Sequence, residues 1–128
     1  MNYIYVTNNP LIKEKINSNN IIFIEGSVLD VYKRARKLIT QKNILVSHPL
    51  TGNIPPHIIP FKTVILKKGN KISKYDLQIM DKTIRYLNRL SEDNVQSKWN
   101  NEELEDYKIL DLDYVISVLK NQKKVTKL

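Results

Sequence analysis

At 128 residues, of which 41% are hydrophobic, the chain has the size and composition of one globular domain over residues 1–128, which excludes wholesale disorder. No apolar run approaches the roughly 18 residues needed to cross a bilayer, and the start lacks a charged signal region, so we expect a cytoplasmic protein with no membrane association. The absence of cysteine excludes thiolate zinc sites, iron–sulfur ligation, redox dithiols and a cysteine nucleophile.

The charged and metal-ligating residues point to no particular partner. His48 and His57 are too far apart for a helical ligand pair, and no carboxylate lies beside either, so we expect no metal and no cofactor. The formal net charge of +8 would suit a polyanion. However, the basic residues fall in separate stretches near 33–37, 67–74 and 120–127, and no nucleic-acid-binding module is recognisable. This dispersion weighs against a nucleic-acid partner.

Apolar runs alternate with amphipathic stretches along the first two thirds of the chain. Four apolar runs predict strands, at residues 2–6, 21–24, 44–46 and 63–66. Helical periodicity predicts a short helix from Pro10 and two stronger helices capped by Ser27 and Ser73. This order predicts an α/β fold, a three-layer, Rossmann-like domain with a small, mainly parallel sheet of about four strands. The proline-rich segment 48–60 leaves the direction of the fourth strand open.

The C-terminal part is predicted to be helical at about 101–123. A polar linker over residues 91–101 leads into it. We expect a short acidic helix over 102–107, followed by a final helix that is capped near Asp111.

Three short polar segments follow the first three predicted strands. If these strands are parallel, the segments meet at the carboxyl edge of one sheet, where open α/β sheets bind their ligands. The predicted ligand-binding residues in these segments are Thr7, Asn8, Asn9, Glu25, Gly26, Ser27, His48, Thr51 and Gly52.

Each polar segment also has a structural interpretation. Asn9 can cap the first helix, and Ser27 with Asp30 can form a capping box. His48 is the best candidate for chemistry because its charge changes near neutral pH, although a lone histidine before Pro49 can also simply shape the loop. No residue is therefore assigned a catalytic role.

The same segments resemble the GrdX family. The similar stretches are TNNPLxKEK at 7–15, FIEGSxLDV at 23–31 and HPLxG at 48–52, and the resemblance continues through PFKTVI at 60–65 to IxD at 109–111. Thr51 and Asn53 stand where the family pattern leads us to expect serines. The resemblance implies an accessory or regulatory protein of the glycine reductase system in amino-acid-fermenting anaerobic bacteria. It implies no catalytic residues.

Three hypotheses follow. The first is a module that binds a small anionic metabolite at the carboxyl ends of strands 1–3, linked to the glycine reductase system. The second is an accessory that contacts glycine reductase components through the proline-rich segment and a basic surface. The third is a small enzyme with His48 as acid–base, although the sequence favours a role without catalysis. A homodimer is left open.

Overall fold

The computed structural model describes residues 2–49, 59–92 and 99–126, with the side chains of 91–92 and 123–126 left aside. In these ranges the chain forms four strands and four helices. Their order is β1 (Tyr3–Thr7), α1 (Pro10–Lys15), β2 (Ile21–Phe23), α2 (Val28–Thr40), β3 (Asn43–Leu45), β4 (Thr63–Lys68), α3 (Lys74–Glu92) and α4 (Asn101–Thr126). The predicted α/β class and the four strands are thus confirmed.

The sheet is mixed, so the prediction of a mainly parallel sheet is wrong. Its strand order is β2-β1-β4-β3. β1 and β2 are parallel, whereas β4 runs antiparallel to both β1 and β3. The physical reason is that β4 pairs directly with β3, and an antiparallel return to a neighbouring strand needs no crossover connection. A Rossmann-like arrangement is not confirmed.

Three strand ends nevertheless lie at one edge of this sheet. Because β4 is antiparallel to both of its neighbours, β1, β2 and β3 all point in the same direction. The carboxyl ends of these three strands therefore share an edge with the beginning of β4.

Helices cover both faces of the sheet. Val6, Val64 and Leu66 face α2 and α3, where they join a core that contains Tyr32 and Met80. On the opposite face, the neighbouring positions Tyr5 and Ile65 pack with Ile12 of α1 and Val115 of α4. This alternation follows from the two-residue period of a strand, and each fully buried side chain contributes about 1.5–3 kcal/mol. The result is a three-layer arrangement.

α4 is one continuous helix, whereas the sequence predicts two. Asn100 begins it with a reciprocal cap: the Glu103 N–H donates to Asn100 Oδ1 at 2.8 Å, and the Asn100 N–H donates to Glu103 Oε1 at 3.2 Å. Asp111, the predicted cap, lies in the middle of this helix and is buried.

Near the start of α4 the rings of Trp99 and Tyr107 meet edge to face, with centroids 4.6 Å apart. No described helix is long and apolar enough to span a bilayer.

Candidate functional site

The residues of the predicted ligand site occupy different environments. Those at the end of β1 are buried: Thr7, Asn8 and Asn9. Those after β2 and β3 are exposed: Glu25, Gly26, Ser27 and His48. The remaining two, Thr51 and Gly52, lie outside the described residues. The carboxyl edge of the sheet therefore has a buried polar floor and an exposed rim.

The side chain of Asn8 hydrogen-bonds to three parts of the edge. Its Nδ2 donates to the carbonyl oxygens of Gly26 at 3.1 Å and Pro60 at 3.0 Å, and its Oδ1 accepts from the Lys62 N–H at 2.9 Å. These bonds join the end of β1 to the turn after β2 and to the approach to β4. Because both donors and the acceptor of the amide are engaged, we assign Asn8 a structural role.

A chain of hydroxyl groups links the sheet to α4. The Asn9 N–H donates to Thr7 Oγ1 at 3.0 Å, and Thr63 Oγ1 donates to Asp111 Oδ2 at 2.6 Å. The Thr7 and Thr63 hydroxyls lie 2.7 Å apart, and since Thr63 donates to the carboxylate, Thr7 donates to Thr63. The Asn9 side chain accepts from the Leu11 N–H at the start of α1, which confirms its predicted capping role.

Asp111 is the acceptor at the end of this chain. Its carboxylate also accepts from the Thr63 N–H at 3.1 Å and from Asn9 Nδ2 at 3.0 Å. Burial raises the pKa of the Asp111 carboxyl, although the bonds from Thr63 and Asn9 and the nearby charge of Lys62 act in the opposite direction. Asp111 therefore joins β1, β4 and α4 through a buried, hydrogen-bonded acid.

Lys62 brings a buried cation to the same edge. The residue is only 5% exposed, and its Nζ lies 4.6 Å from the centre of the Tyr114 ring. Burial lowers the pKa of the Lys62 ammonium, and the negative charge of Asp111 only partly offsets this effect. The aromatic ring supplies a weak cation–π contact to the ammonium.

Two tyrosines place the residues after β3 beside this lysine. The buried Tyr32 hydroxyl donates to the Pro49 carbonyl oxygen at 2.7 Å, and burial raises its pKa. The Tyr114 hydroxyl reaches the His48 carbonyl oxygen at 3.5 Å. Since Tyr114 also contacts Lys62, His48 lies on the rim close to the buried ammonium.

Lys62, Thr63 and Asp111 are missing from the predicted ligand site. Both Lys62 and Thr63 belong to the PFKTVI stretch of the family resemblance, and Asp111 ends its IxD stretch. Lys62 directly precedes an apolar strand, and this sequence position hints at its burial. A strand that is buried from its first residue can bury the preceding side chain as well. Asp111 offered no such signal, since acidic residues near helices are usually caps.

Ser27 is the cap of α2, as predicted. Its Oγ accepts from the Asp30 N–H, and the Asp30 carboxylate accepts from the Ser27 N–H. We expect Ser27→Ala to lower the free energy of unfolding by about 1 kcal/mol, because the first turn of α2 loses a hydrogen-bond acceptor. Urea denaturation measures this, with Ser117→Ala at an exposed position of α4 as the control. An unchanged Ser27→Ala midpoint would contradict the capping role.

The chemistry available at this edge is recognition of negative charge. In the residues that the structure describes, no three His, Asp or Glu side chains converge as they would around a metal ion. The Lys62 ammonium and the start of α2 both favour an anion. Asp30 already occupies the start of α2, so Lys62 is the main positive charge of the buried floor.

Taken together, the fold and this edge define a small mixed-sheet α/β protein with a buried lysine and acid where the strand ends meet. The sequence matches the family model described as GrdX-like protein over residues 4–120, and the chain therefore belongs to this family. The match includes β2, β3, β4, all of β1 except Tyr3, and both Lys62 and Asp111. Neither the search of curated proteins nor that of solved structures found a match.

Proposed function

We propose that this GrdX-like protein binds a small anionic metabolite at the carboxyl edge of its sheet, with Lys62 as the charge that recognises it. The observation that carries the proposal is the buried ammonium itself. In the described part of the chain the two salt bridges join Arg36 to Asp81 and Lys108 to Glu105, and neither includes Lys62. An anion that reaches this group would gain a partner with little competing water.

The energetics of Lys62 support a role in binding. Burial of an ammonium opposes folding. Burial is also the largest cause of the lowered pKa of Lys62. A methionine at the same position would fill similar space without a charge. Ionisable side chains whose pKa is shifted by burial are found most often at functional sites, because binding and catalysis use charged groups that are shielded from water.

The proposed site is smaller than the one predicted from sequence. Thr7, Asn8 and Asn9 use their polar groups to hold the edge together. In this proposal the ligand contacts Lys62 from the exposed rim beside Gly26 and His48, whereas Ser27 already bonds Asp30 through its N–H and Oγ. In this proposal the module acts as an accessory or regulator of the glycine reductase system, as the family resemblance implies.

Thermal-shift measurements with amino acids, acetyl phosphate and nucleotides at millimolar concentration test the proposal. We expect at least one anion to raise the melting temperature saturably, since a ligand at 100 times its Kd stabilises by about 2.7 kcal/mol. Lys62→Met should abolish this shift, and Lys62→Arg should keep part of it because the charge remains. Lys68→Met, at an exposed position near the end of β4, is the matched control.

The stability of Lys62→Met separates a binding role from a structural one. Because burial disfavours the ammonium, and because Asp111 keeps its hydrogen bonds from Thr63 and Asn9, we expect the variant without ligand to be at least as stable as the unsubstituted chain. The lowered folded-state pKa also means that native stability rises with pH between that pKa and the ordinary value of 10.5, and this rise should be absent from Lys62→Met. Equal ligand shifts in both proteins, or no shift with any anion, would overturn the proposal.

A further inference from the structure

We propose that the outer surface of α2 and α3 binds single-stranded nucleic acid. The basic face, as we name this surface, consists of six exposed residues, Lys33, Lys37, Lys74, Lys82, Arg85 and Arg89. It contains no residue of the carboxyl edge, so the inference stands apart from the proposed metabolite site.

The helical layers on the two sides of the sheet differ in charge. α2 and α3 together carry eight Lys or Arg residues and four Asp or Glu residues. α1 and α4 together carry six Lys or Arg residues and seven Asp or Glu residues. Of the two helical layers, the one formed by α2 and α3 therefore carries the net positive charge, which can attract a polyanion.

The packing of α2 against α3 creates the basic face. Positions 33 and 89 are far apart in the sequence, which is why the basic residues look dispersed there. In the structure the Arg36 side chain of α2 pairs with Asp81 of α3, so the two helices lie side by side. Folding thus brings the basic stretch at 33–37 beside the basic residues of α3, whereas the C-terminal stretch begins in α4, on the other side of the sheet.

The exposed stripe of α3 contains aromatic rings as well as cations. At 3.6 residues per turn, Lys74, Tyr75, Gln78, Lys82, Arg85, Tyr86 and Arg89 fall within an arc of about 120°. Between Lys74 and Arg89 no acidic residue falls in this arc, since Asp76 and Asp81 lie outside it, and Glu92 follows only at the last position of the helix. Tyr75 is 70% exposed and Tyr86 is 41% exposed, and both lie along one flank of the cations.

This combination favours nucleic acid over an acidic protein. Cations alone would suit either partner. An exposed tyrosine beside arginine and lysine offers a surface on which bases stack, and a single strand leaves its bases free to do so. From Lys74 to Arg89 the stripe is about 22 Å long at 1.5 Å per residue, which matches the few nucleotides that one single-strand site usually spans.

Fluorescence anisotropy with labelled oligo(dT) and oligo(U) of about 20 nucleotides tests the inference. We expect binding at about 100 mM salt that weakens as salt is raised. Arg85→Gln/Arg89→Gln should weaken it further and reduce the slope of log K against log salt by about 1.4, for two lost phosphate contacts. Lys15→Gln/Lys120→Gln changes the net charge equally at exposed positions of α1 and α4, and should leave the affinity unchanged.

The role of stacking has its own variants. Tyr75→Leu should lower the affinity roughly 5- to 100-fold, and Tyr75→Phe should restore it because the ring is retained. No binding at 100 mM salt, or equal weakening by the α1/α4 control pair, would overturn the inference. Undiminished binding by Tyr75→Leu would do so as well, and displacement of the oligonucleotide by polyglutamate of equal charge would indicate an acidic protein partner instead.

Discussion

Asp111→Ala is expected to lower the free energy of unfolding by about 3–5 kcal/mol. The substitution removes the acceptor for three donors, which are the Thr63 N–H, the Thr63 hydroxyl and Asn9 Nδ2. It also removes the negative charge that partly offsets the burial of the Lys62 ammonium. Buried donors without acceptors and a buried charge without its counter-charge are among the most costly defects in a folded protein. The midpoint and slope of urea denaturation measure the loss.

Two variants identify the source of this effect. Asp111→Asn keeps the shape and one acceptor oxygen but removes the charge, so it should cost less than Asp111→Ala. Asp113→Ala removes an exposed carboxylate two residues further along α4 and should remain within about 0.5 kcal/mol of the unsubstituted chain. A loss below 1 kcal/mol for Asp111→Ala would show that the acid does not hold α4 to the sheet.

Asn8→Ala is expected to have the second largest effect on stability, about 2–3 kcal/mol. The amide of Asn8 bonds the Gly26 and Pro60 carbonyl oxygens and the Lys62 N–H, and alanine can replace none of these contacts. Because two of these partners lie near the proposed ligand site, we also expect weaker metabolite binding by this variant. Denaturant titration and the thermal-shift series measure the two effects separately.

The donors of Asn8 can be tested apart from its acceptor. Asn8→Asp keeps the acceptor oxygen and the size of the side chain, but it replaces the Nδ2 donor with an oxygen that repels the two carbonyls. It should therefore be about as unstable as Asn8→Ala. Asn19→Ala, at an exposed position before β2, is the control. A stable Asn8→Asp variant would contradict the donor role.

Local signals in the sequence predicted much of the fold. The Asn9 cap and the Ser27–Asp30 capping box involve residues within a few positions of each other, and both are present. The direction of β4 was not predictable from its apolar pattern, because the alternation of side chains is the same in parallel and antiparallel strands. The pairing with β1 that fixes this direction joins distant parts of the chain.

The candidate site was harder to predict because its central residues act over long sequence distances. Asp111 contacts Thr63 across 48 positions and Asn9 across 102 positions. From sequence alone, an aspartate near a helix indicates a cap, and a lysine before a strand gives no information on which acid it will meet. Only the fold brings Asp111 and Lys62 together, whereas the shared edge of the first three strand ends could be expected from the order of the elements.

The strand order also has a consequence for how the chain folds. β1 and β4 form the centre of the sheet, and Thr7 pairs with Thr63 across a segment that includes α1, α2 and the two outer strands. Closing this long loop costs entropy before most of the sheet can form, so we expect slower folding than in a helical bundle whose contacts are mostly local. During synthesis β1 and β2 can meet early, but the central pair must wait until β4 has left the ribosome. The first half of the chain thus depends on the second half for its completed sheet.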